Sequence, residues 1–599
     1  TAAAEAVPGV RLVWTHRNTP AQAPRGAKAN PRSQRASNPV MADDRIHHFG
    51  QTVAFVVADT AEAARAAAAL IRIDYAQEPA VVDFAASLDQ AEMPPGEEDV
   101  RVGDFEAAFD AAPVKLDETY ASPLQNHVQM EPCATLAWWD GDRVTVHTSI
   151  QMVKGGQHAL AETIMVPSDH VHLRTRYIGG GFGGKGQAYD DLTLAALAAR
   201  ALNQPVKVTY TRQHMFHGTI HRPATIQRVR LGAEPNGRLT AFALDGFTHC
   251  ARGAVFTEHF ANFARSLYAA PNRLTGHRLV KMDLPGAGPM RAPGEASGML
   301  SLEVAMDELA EKLGLDPIEL RLINEPEKDP ETGKPFSIRQ LHECMVQGAQ
   351  TFGWDRRNPR PGQVREGRFL VGMGMAAAIR GNFLLPAKAG VRIDADGTIT
   401  LRQGMTDIGT GTYTILAQIT AETLGVPMSQ VKVELGDSEF PPAPGSGGQF
   451  GAATAGSAAL NAGMNLRKAL AELAGRPNIA TAAMAIDDSP ALAATLAGCF
   501  AVVNCAPYHL TTAVARAAKA AGAHYLDLTE DVAASRVVRE LAVDSKTAFI
   551  PQCGLAPGFI TIAAWDLIKH FDQLHDVRLR VGALPRYPSN ALNYNLTWS

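Results

Sequence analysis

Residues 179–184 set five glycines around one phenylalanine, Phe182, and Lys185 and Gly186 follow at once. A run of this kind lets the backbone pass very close to a ligand with its amides free to donate. Two phosphate-binding patterns nearly fit. Gly179, Gly184 and Lys185 have P-loop spacing, but Gly186 stands where that loop needs a magnesium-binding Ser or Thr. Gly181, Gly183 and Gly186 read as a dinucleotide fingerprint, yet residues 204–210 offer no acidic group for a ribose. A purely structural glycine turn is the third reading.

The elements around this loop are legible from pattern. Residues 171–177 alternate as an extended segment, and residues 189–202 carry an Ala/Leu-rich helical pattern. Residues 53–57 read as a strand, and residues 60–71 as a helix with Asp59 as N-cap. The stretch 18–44 reads as a long surface loop. Residues 138–146 resemble a hairpin turning at 140–142, and residues 390–403 a second hairpin turning at 395–397. Helices are expected over 301–313, from Asp316-Pro317, over 412–424 and over 452–459. After about residue 475 the texture becomes strand (501–504), helix (511–521, ended by Gly522), strand (525–528), a βαβ rhythm.

The 599 residues are 46% apolar and 20% charged, with a net charge of −5, so nothing points to a nucleic-acid or membrane-surface partner. No apolar run reaches spanning length. No leader is legible behind Thr1, and a start without Met suggests a processed chain or a fragment. The compartment, bacterial cytoplasm or periplasm, stays open. Six scattered cysteines contain no C-x-x-C pair, which argues against an iron–sulfur cluster or structural zinc within this chain.

Five motifs in order carry a resemblance. They are residues 127–132 (His-Val-Gln-Met-Glu-Pro), the loop 179–185, residues 290–294 (Met-Arg-Ala-Pro-Gly), residues 407–412 (Asp-Ile-Gly-Thr-Gly-Thr) and residues 446–451 (Ser-Gly-Gly-Gln-Phe-Gly). Residues 1 to about 474 thereby resemble the molybdopterin-binding large subunit of the xanthine dehydrogenase/aldehyde oxidase family, and within it the aldehyde-type bacterial members. The resemblance implies an α/β and α+β multidomain chain of incomplete molybdenum-hydroxylase architecture. Its parts would be a hammerhead-like domain over 1–100, a first molybdopterin-binding domain over 101–345 and a truncated second one over 346–474. It places Gly181, Phe182 and Gly183 beside the molybdenum, with the Phe182 edge shaping the substrate slot and the next amide near a metal-bound oxygen. Gln151, on a strand 31 residues before Phe182, would hydrogen-bond an oxo ligand, and Arg291 would lie close to cofactor and substrate. Gly409, Thr410, Gly411 and Thr412, with Gly448, Gln449, Phe450 and Gly451, would donate to the cofactor's pyrophosphate and nucleotide. The cytosine dinucleotide form is expected, with the metal held by the pterin dithiolene and by no protein ligand. The ordinary alternatives are a surface strand glutamine at 151, a surface salt bridge at 291 and plain capping or packing turns at the last two motifs.

The resemblance further implies [2Fe–2S] and FAD on partner subunits and oxidation of an aldehyde to a carboxylate. Purine-oxidising members carry Glu where Gly186 stands, and Cys133 replaces a family His. The family's general base, a Glu in a Gly-Val-Gly-Glu segment, has no match in these residues, so impaired turnover is expected. Glu131, Glu295, Glu303, Glu422 and Glu439 are present outside any such motif. Residues 475–599 instead resemble part of a saccharopine-dehydrogenase-type oxidoreductase, a partial Rossmann-like α/β segment, through residues 502–508, 524–529, 553–558, 584–586 and 597–599. Asn504, Pro507 and Tyr508 would face a nicotinamide, although the glycine turn for NAD(P) is missing. The alternatives are therefore a nicotinamide-dependent dehydrogenase and an inactive cofactor-binding remnant.

Overall fold

A computed structural model describes residues 1–24, 39–254, 256–394, 396–473, 489–504, 506, 508–528 and 531–551. The chain divides into two compact units, Thr1–Ala469 and Leu470–Ser599.

The first unit opens with an antiparallel pair, Val10–Thr15 against Ala54–Ala58, followed by the helix Ala61–Ala69. The cap of that helix is Thr60, whose side chain accepts from the Ala63 amide, and not Asp59 as expected. A cap oxygen must reach the third helical amide. Asp59 lies one residue too early and pairs with Arg11 instead. Residues 18–24 and 39–44 hold no helix or strand; the rest of that predicted loop lies outside the described residues.

Three larger sheets and one antiparallel pair, Val364–Glu366 with Phe369–Val371, build the remainder of this unit among the described residues. The first runs in the order Val100–Val102, Asn272–Met282, Leu239–Ala251, Thr225–Ala233, Val114–Ser122. Its apolar side, with Leu231 and Leu244, packs on Leu302 and Leu309 of the helix Glu295–Leu313. That helix starts six residues before the expected 301, because Gly294 turns the chain at φ 85 and its amide is capped by Glu258.

The second sheet orders Val171–Arg174, Arg143–Thr148, Ala134–Asp140, Val206–Thr209. Val144, Val146 and Leu173 alternate inward beneath the helices Val153–Thr163 and Asp190–Leu202. The extended segment ends at Arg174, earlier than predicted, because Thr175 leaves the sheet to bond Gly436. The hairpin at 138–146 forms as read.

The third sheet pairs Gly390–Ile393 with Ile399–Gln403 and, in parallel, Val431–Leu435; the helix Thr412–Leu424 makes the crossover. Residue 395 of its predicted turn lies outside the described residues. The second and third sheets lock where a Cβ on Gly436 would meet the Thr175 carbonyl at 1.9 Å, and where the Ser438 amide donates to the Leu173 carbonyl. The helix expected at 452–459 opens as a wide π-helical turn, Gly451–Ala455, before continuing as Gly456–Leu473.

The described part of the second unit is a parallel sheet of Ala501–Asn504, His524–Asp527 and Phe549–Ile550 with the helices Ser489–Leu496, Thr511–Ala521 and Val532–Ala542. Val502, Val514, Tyr525 and Val538 form its core. Asn504 is buried there, with its amide donating to the Tyr525 hydroxyl at 3.0 Å. It is committed to the interior, contrary to the expectation that it faces a cofactor. Pro507, the Tyr508 side chain and the motif positions from 553 onward lie outside the described residues. No described helix is long and apolar enough to cross a membrane.

Candidate functional site

One cavity of about 2320 Å³ in the first unit gathers residues from Pro39 to Ala452. Its wall includes Gln151, Phe182, Gly183, Gly186, Arg291, Gly409, Thr410, Thr412, Gly448, Gln449, Phe450 and Gly451. Gly181 and Gly411 stand just behind it. A Cβ on Gly181 would meet the Gln151 amide oxygen at 2.6 Å, and Gly411 turns the chain into the helix Thr412–Leu424 at φ 84.

The glycine loop is fastened from behind. Lys185 is fully buried, and its ammonium donates to Glu131 at 2.6 Å and to Ser149 at 2.9 Å. Glu131 also accepts from Ser149 and from the Gly179 amide, both at 2.7 Å. Burial pushes the Glu131 carboxyl up, but these donors outweigh it and hold the group below the usual glutamate range. Lys185 therefore turns away from the cavity, and the P-loop reading fails on geometry as well as on sequence.

Gln151 differs from expectation in two respects. It lies in the turn between Arg143–Thr148 and Val153–Thr163, not on a strand, and it is 2% exposed. Its side-chain oxygen accepts from the amides of Gly183 (3.0 Å) and Lys185 (3.1 Å), and its amide donates to the Ser446 carbonyl at 2.7 Å. The Gly183 amide, expected to face a metal-bound oxygen, is thus already bonded. Gln151 ties the glycine loop to the 446–451 turn, because two loops without side-chain contacts of their own need a buried amide between them.

The two expected pyrophosphate turns differ. At the first, the Asp407 carboxylate takes the amides of Gly409 (2.8 Å), Thr410 (3.0 Å), Gly411 (3.3 Å) and Tyr413 (3.2 Å). An intrachain anion thereby occupies the Gly409, Thr410 and Gly411 amides expected to hold a phosphate, leaving the Thr412 amide and the Thr410 and Thr412 hydroxyls, the latter 3.5 Å apart. At the second, the Phe450 amide closes a turn on Gly447, while the Gly448, Gln449 and Gly451 amides have no partner among the described residues. Asp407 was within the quoted motif, and its signal, an Asp ahead of Gly-x-Gly and a helix, is that of a side chain bonding its own turn.

Arg291 makes no ion pair among the described residues, so the surface-salt-bridge alternative does not hold, and its backbone amide donates to the Phe182 carbonyl at 2.8 Å. Of the five glutamates singled out from sequence, only Glu295 lines the cavity, and it is paired with Arg380. Sequence reasoning passed over Glu97, which also lines the cavity and accepts from His259 at 2.8 Å. Backbone strain collects here. Met41, Phe182, Ala292 and Gln449, four of the seven described non-glycine residues at positive φ, line the cavity. Each costs on the order of 1–3 kcal/mol and persists only where its surroundings over-determine it. Gly183, at φ 97, could carry no Cβ, which would lie 2.3 Å from the Pro289 carbonyl.

The chain matches three family descriptions: the aldehyde oxidase and xanthine dehydrogenase a/b hammerhead domain over residues 1–79, and a molybdopterin cofactor-binding domain over 90–325 and again over 347–532. The last match crosses the boundary expected near 475 and gives no support to a separate saccharopine-dehydrogenase-type segment there. The chain is 46% identical over 477 residues to the aldehyde oxidoreductase molybdenum-binding subunit PaoC of Escherichia coli K12, covering 79% of this chain and 64% of that protein. It is 29% identical over 454 residues to the putative xanthine dehydrogenase molybdenum-binding subunit XdhA of the same organism, covering 72% and 60%. The chain thus spans about three fifths of the length of the curated relatives it matches. Among solved structures, the aldehyde oxidoreductase of Desulfovibrio gigas superposes with a TM-score of 0.69 at 25% identity, over 78% of this chain and 54% of that one. Quinoline 2-oxidoreductase of Pseudomonas putida 86 shares the fold, at a TM-score of 0.70 and 23% identity, over 78% and 64%. Over the matched residues, this chain belongs to the molybdopterin-binding large-subunit family of the xanthine dehydrogenases and aldehyde oxidoreductases.

Proposed function

We propose that residues 1 to about 474 form the molybdenum-cofactor subunit of an aldehyde-oxidising hydroxylase, converting aldehyde and water to carboxylate. The observation that carries this reading is the cavity itself, where a guanidinium and three amides without partners among the described residues converge with a strained aromatic from distant segments. These residues fit a large anionic cofactor. The Gly448, Gln449 and Gly451 amides offer donors to phosphate oxygens at no cost of broken bonds. The hydroxyls of Thr410 and Thr412 add neutral donors, while the Asp407 carboxylate keeps the neighbouring amides for itself. The cofactor, expected as the cytosine dinucleotide form, supplies the centre that accepts two electrons from the aldehyde carbon.

The chain's own residues bind and orient. Phe182 presents its ring from a backbone that Lys185 and Glu131 hold rigid, and so shapes the substrate slot. Arg291 places a cation toward the carbonyl oxygen, where negative charge develops during attack. Gln151 holds the two cofactor-facing loops at a fixed distance. Gly186 lines the cavity where a charged purine partner would be needed, which favours aldehydes. Electrons would leave to [2Fe–2S] and FAD groups on partner subunits.

The test is expression with molybdenum-cofactor machinery and with iron–sulfur and flavin subunits of an aldehyde-type relative. Stoichiometric molybdenum is expected, with carboxylate formed from an aldehyde slowly but above background, since no general-base segment is matched in these residues; a chain that never retains molybdenum sinks the reading. A second reading, cofactor binding with little turnover, is favoured by the cavity carboxylates. Glu97 is held ionised by His259 against the effect of its burial, and Glu295 is engaged by Arg380. Full molybdenum content with turnover at background separates it from the first.

A further inference from the structure

Behind the cavity wall lies a buried ion pair that the proposed chemistry does not use. Arg222 is 5% exposed and Glu258 is fully buried, with Nε of the first 3.4 Å from Oε1 of the second. Arg222 is fixed by its backbone, which exchanges two hydrogen bonds with Gln125. Its Nη2 reaches three consecutive carbonyls, those of Met290 (2.9 Å), Arg291 (2.5 Å) and Ala292 (3.3 Å). Glu258 accepts from the Gly294 amide at 2.9 Å and the Ser297 hydroxyl at 3.1 Å. The pair therefore grips the turn on both sides of Ala292, which stands at φ 58. The front of the same turn is held by the bond from the Arg291 amide to the Phe182 carbonyl.

We propose that Arg222, anchored by Glu258, is the positioning residue for Arg291. A guanidinium sets separate nitrogens against the carboxylate (Nε) and the carbonyls (Nη2) at the same time, and three carbonyls converging on one point repel one another unless a cation lies among them. With the cation in place, the strained turn holds a single conformation, and the Cα–Cβ bond of Arg291 is aimed in one direction from the cavity wall. Arg291 has no side-chain partner among the described residues to orient it from the front, so its aim is set from behind. The part of this inference that concerns turnover rests on the reading of Arg291 as the cation facing substrate.

Two measurements separate the two layers. In the full chain without cofactor, Arg222→Lys keeps a cation opposite Glu258 but has no second nitrogen to place among the carbonyls. Amide hydrogen exchange at Arg291 should accelerate about tenfold or more, while strand amides of Leu239–Ala251 stay protected. Exchange at Arg291 within twofold of the parent overturns the proposal. If Arg222→Lys loosens the whole unit, Glu258→Gln decides, since it keeps shape and removes the anchor's charge: a local rise at 290–292 supports the proposal and no rise overturns it. In the molybdenum-loaded complex, Arg222→Lys should lower kcat for an aldehyde about tenfold with KM changed much less. Faster exchange with kcat unchanged overturns the role in turnover and removes Arg291 from the reaction, while molybdenum retention by the parent chain continues to report on the cofactor reading separately.

Discussion

At the scale of the residue, the chain spends its buried polar groups on holding loops. Lys185 has P-loop spacing in the sequence, a reading that Gly186 in place of Ser or Thr already spoke against. The structure gives its charge to Glu131, and that choice frees Phe182 to be the loop's contribution to the cavity. Glu131→Ala would leave the Lys185 ammonium buried without its counter-charge. Because Glu131 is partly exposed, with 41% of its side chain accessible, water offsets part of the cost, and we expect a loss of roughly 2–3 kcal/mol in chemical denaturation. Acid should act in the same direction. The Glu131 carboxyl lies below its ordinary value of 4.5 in the folded chain, so its contribution is complete above that pH and disappears as pH falls through the depressed value. Hydrogen exchange at the Gly179 amide, followed from pH 6 toward about pH 3 with intrinsic rates divided out, should show protection lost only at the acid end. An unchanged protection factor throughout would remove the clasp from the argument.

At the scale of the element, the helices were easier to read than the turns that begin them. The helix Thr412–Leu424 has the bounds its pattern predicts, and the hairpin read at residues 138–146 forms within the longer strands Ala134–Asp140 and Arg143–Thr148. The use of the amides ahead of that helix was not legible, since a Gly-Thr-Gly turn offers donors to any anion and sequence does not say which one arrives first. Asp407, two residues upstream, supplies the anion and caps the helix. Asp407→Ala should lower stability by about 1 kcal/mol, the ordinary value of a cap. It should also strengthen the thermal shift produced by inorganic pyrophosphate, because four amides lose their anion and two of them, those of Gly409 and Thr410, lie in the cavity wall. A pyrophosphate shift no larger than the parent's would mean that the freed amides do not face the anion. Gln151 makes the same point for loops: its spacing from Phe182 placed it near the site, but its assignment to a strand was wrong, since a residue just past a strand end reads like strand.

At the scale of the whole molecule, the first unit is a set of sheets whose connecting turns meet at one cavity. Its interior also carries neutral histidines. Burial pushes His249 down to about 4 and His277 down to about 3, from 6.5. The unfolded chain therefore binds more protons than the folded one below about pH 6.5, and stability rises with pH across that range. The thermal midpoint should be level above about pH 7 and fall steadily between pH 6.5 and 4, with His249→Gln flattening the slope; a midpoint independent of pH in this window would contradict the burial of these rings as neutral groups. What the sequence determined by itself is local: periodicity placed the helices and strands, and five ordered motifs marked the residues to watch, because those signals are written in neighbouring side chains. Which donors remain free, which charges are spent internally and which glycines admit no Cβ depend on atoms hundreds of residues apart. Only the tertiary structure brings Arg222 to Arg291, Gln151 to Ser446 and Asp407 to its own turn, and hydrogen bonds, falling off within a few tenths of an ångström, exist only after that meeting.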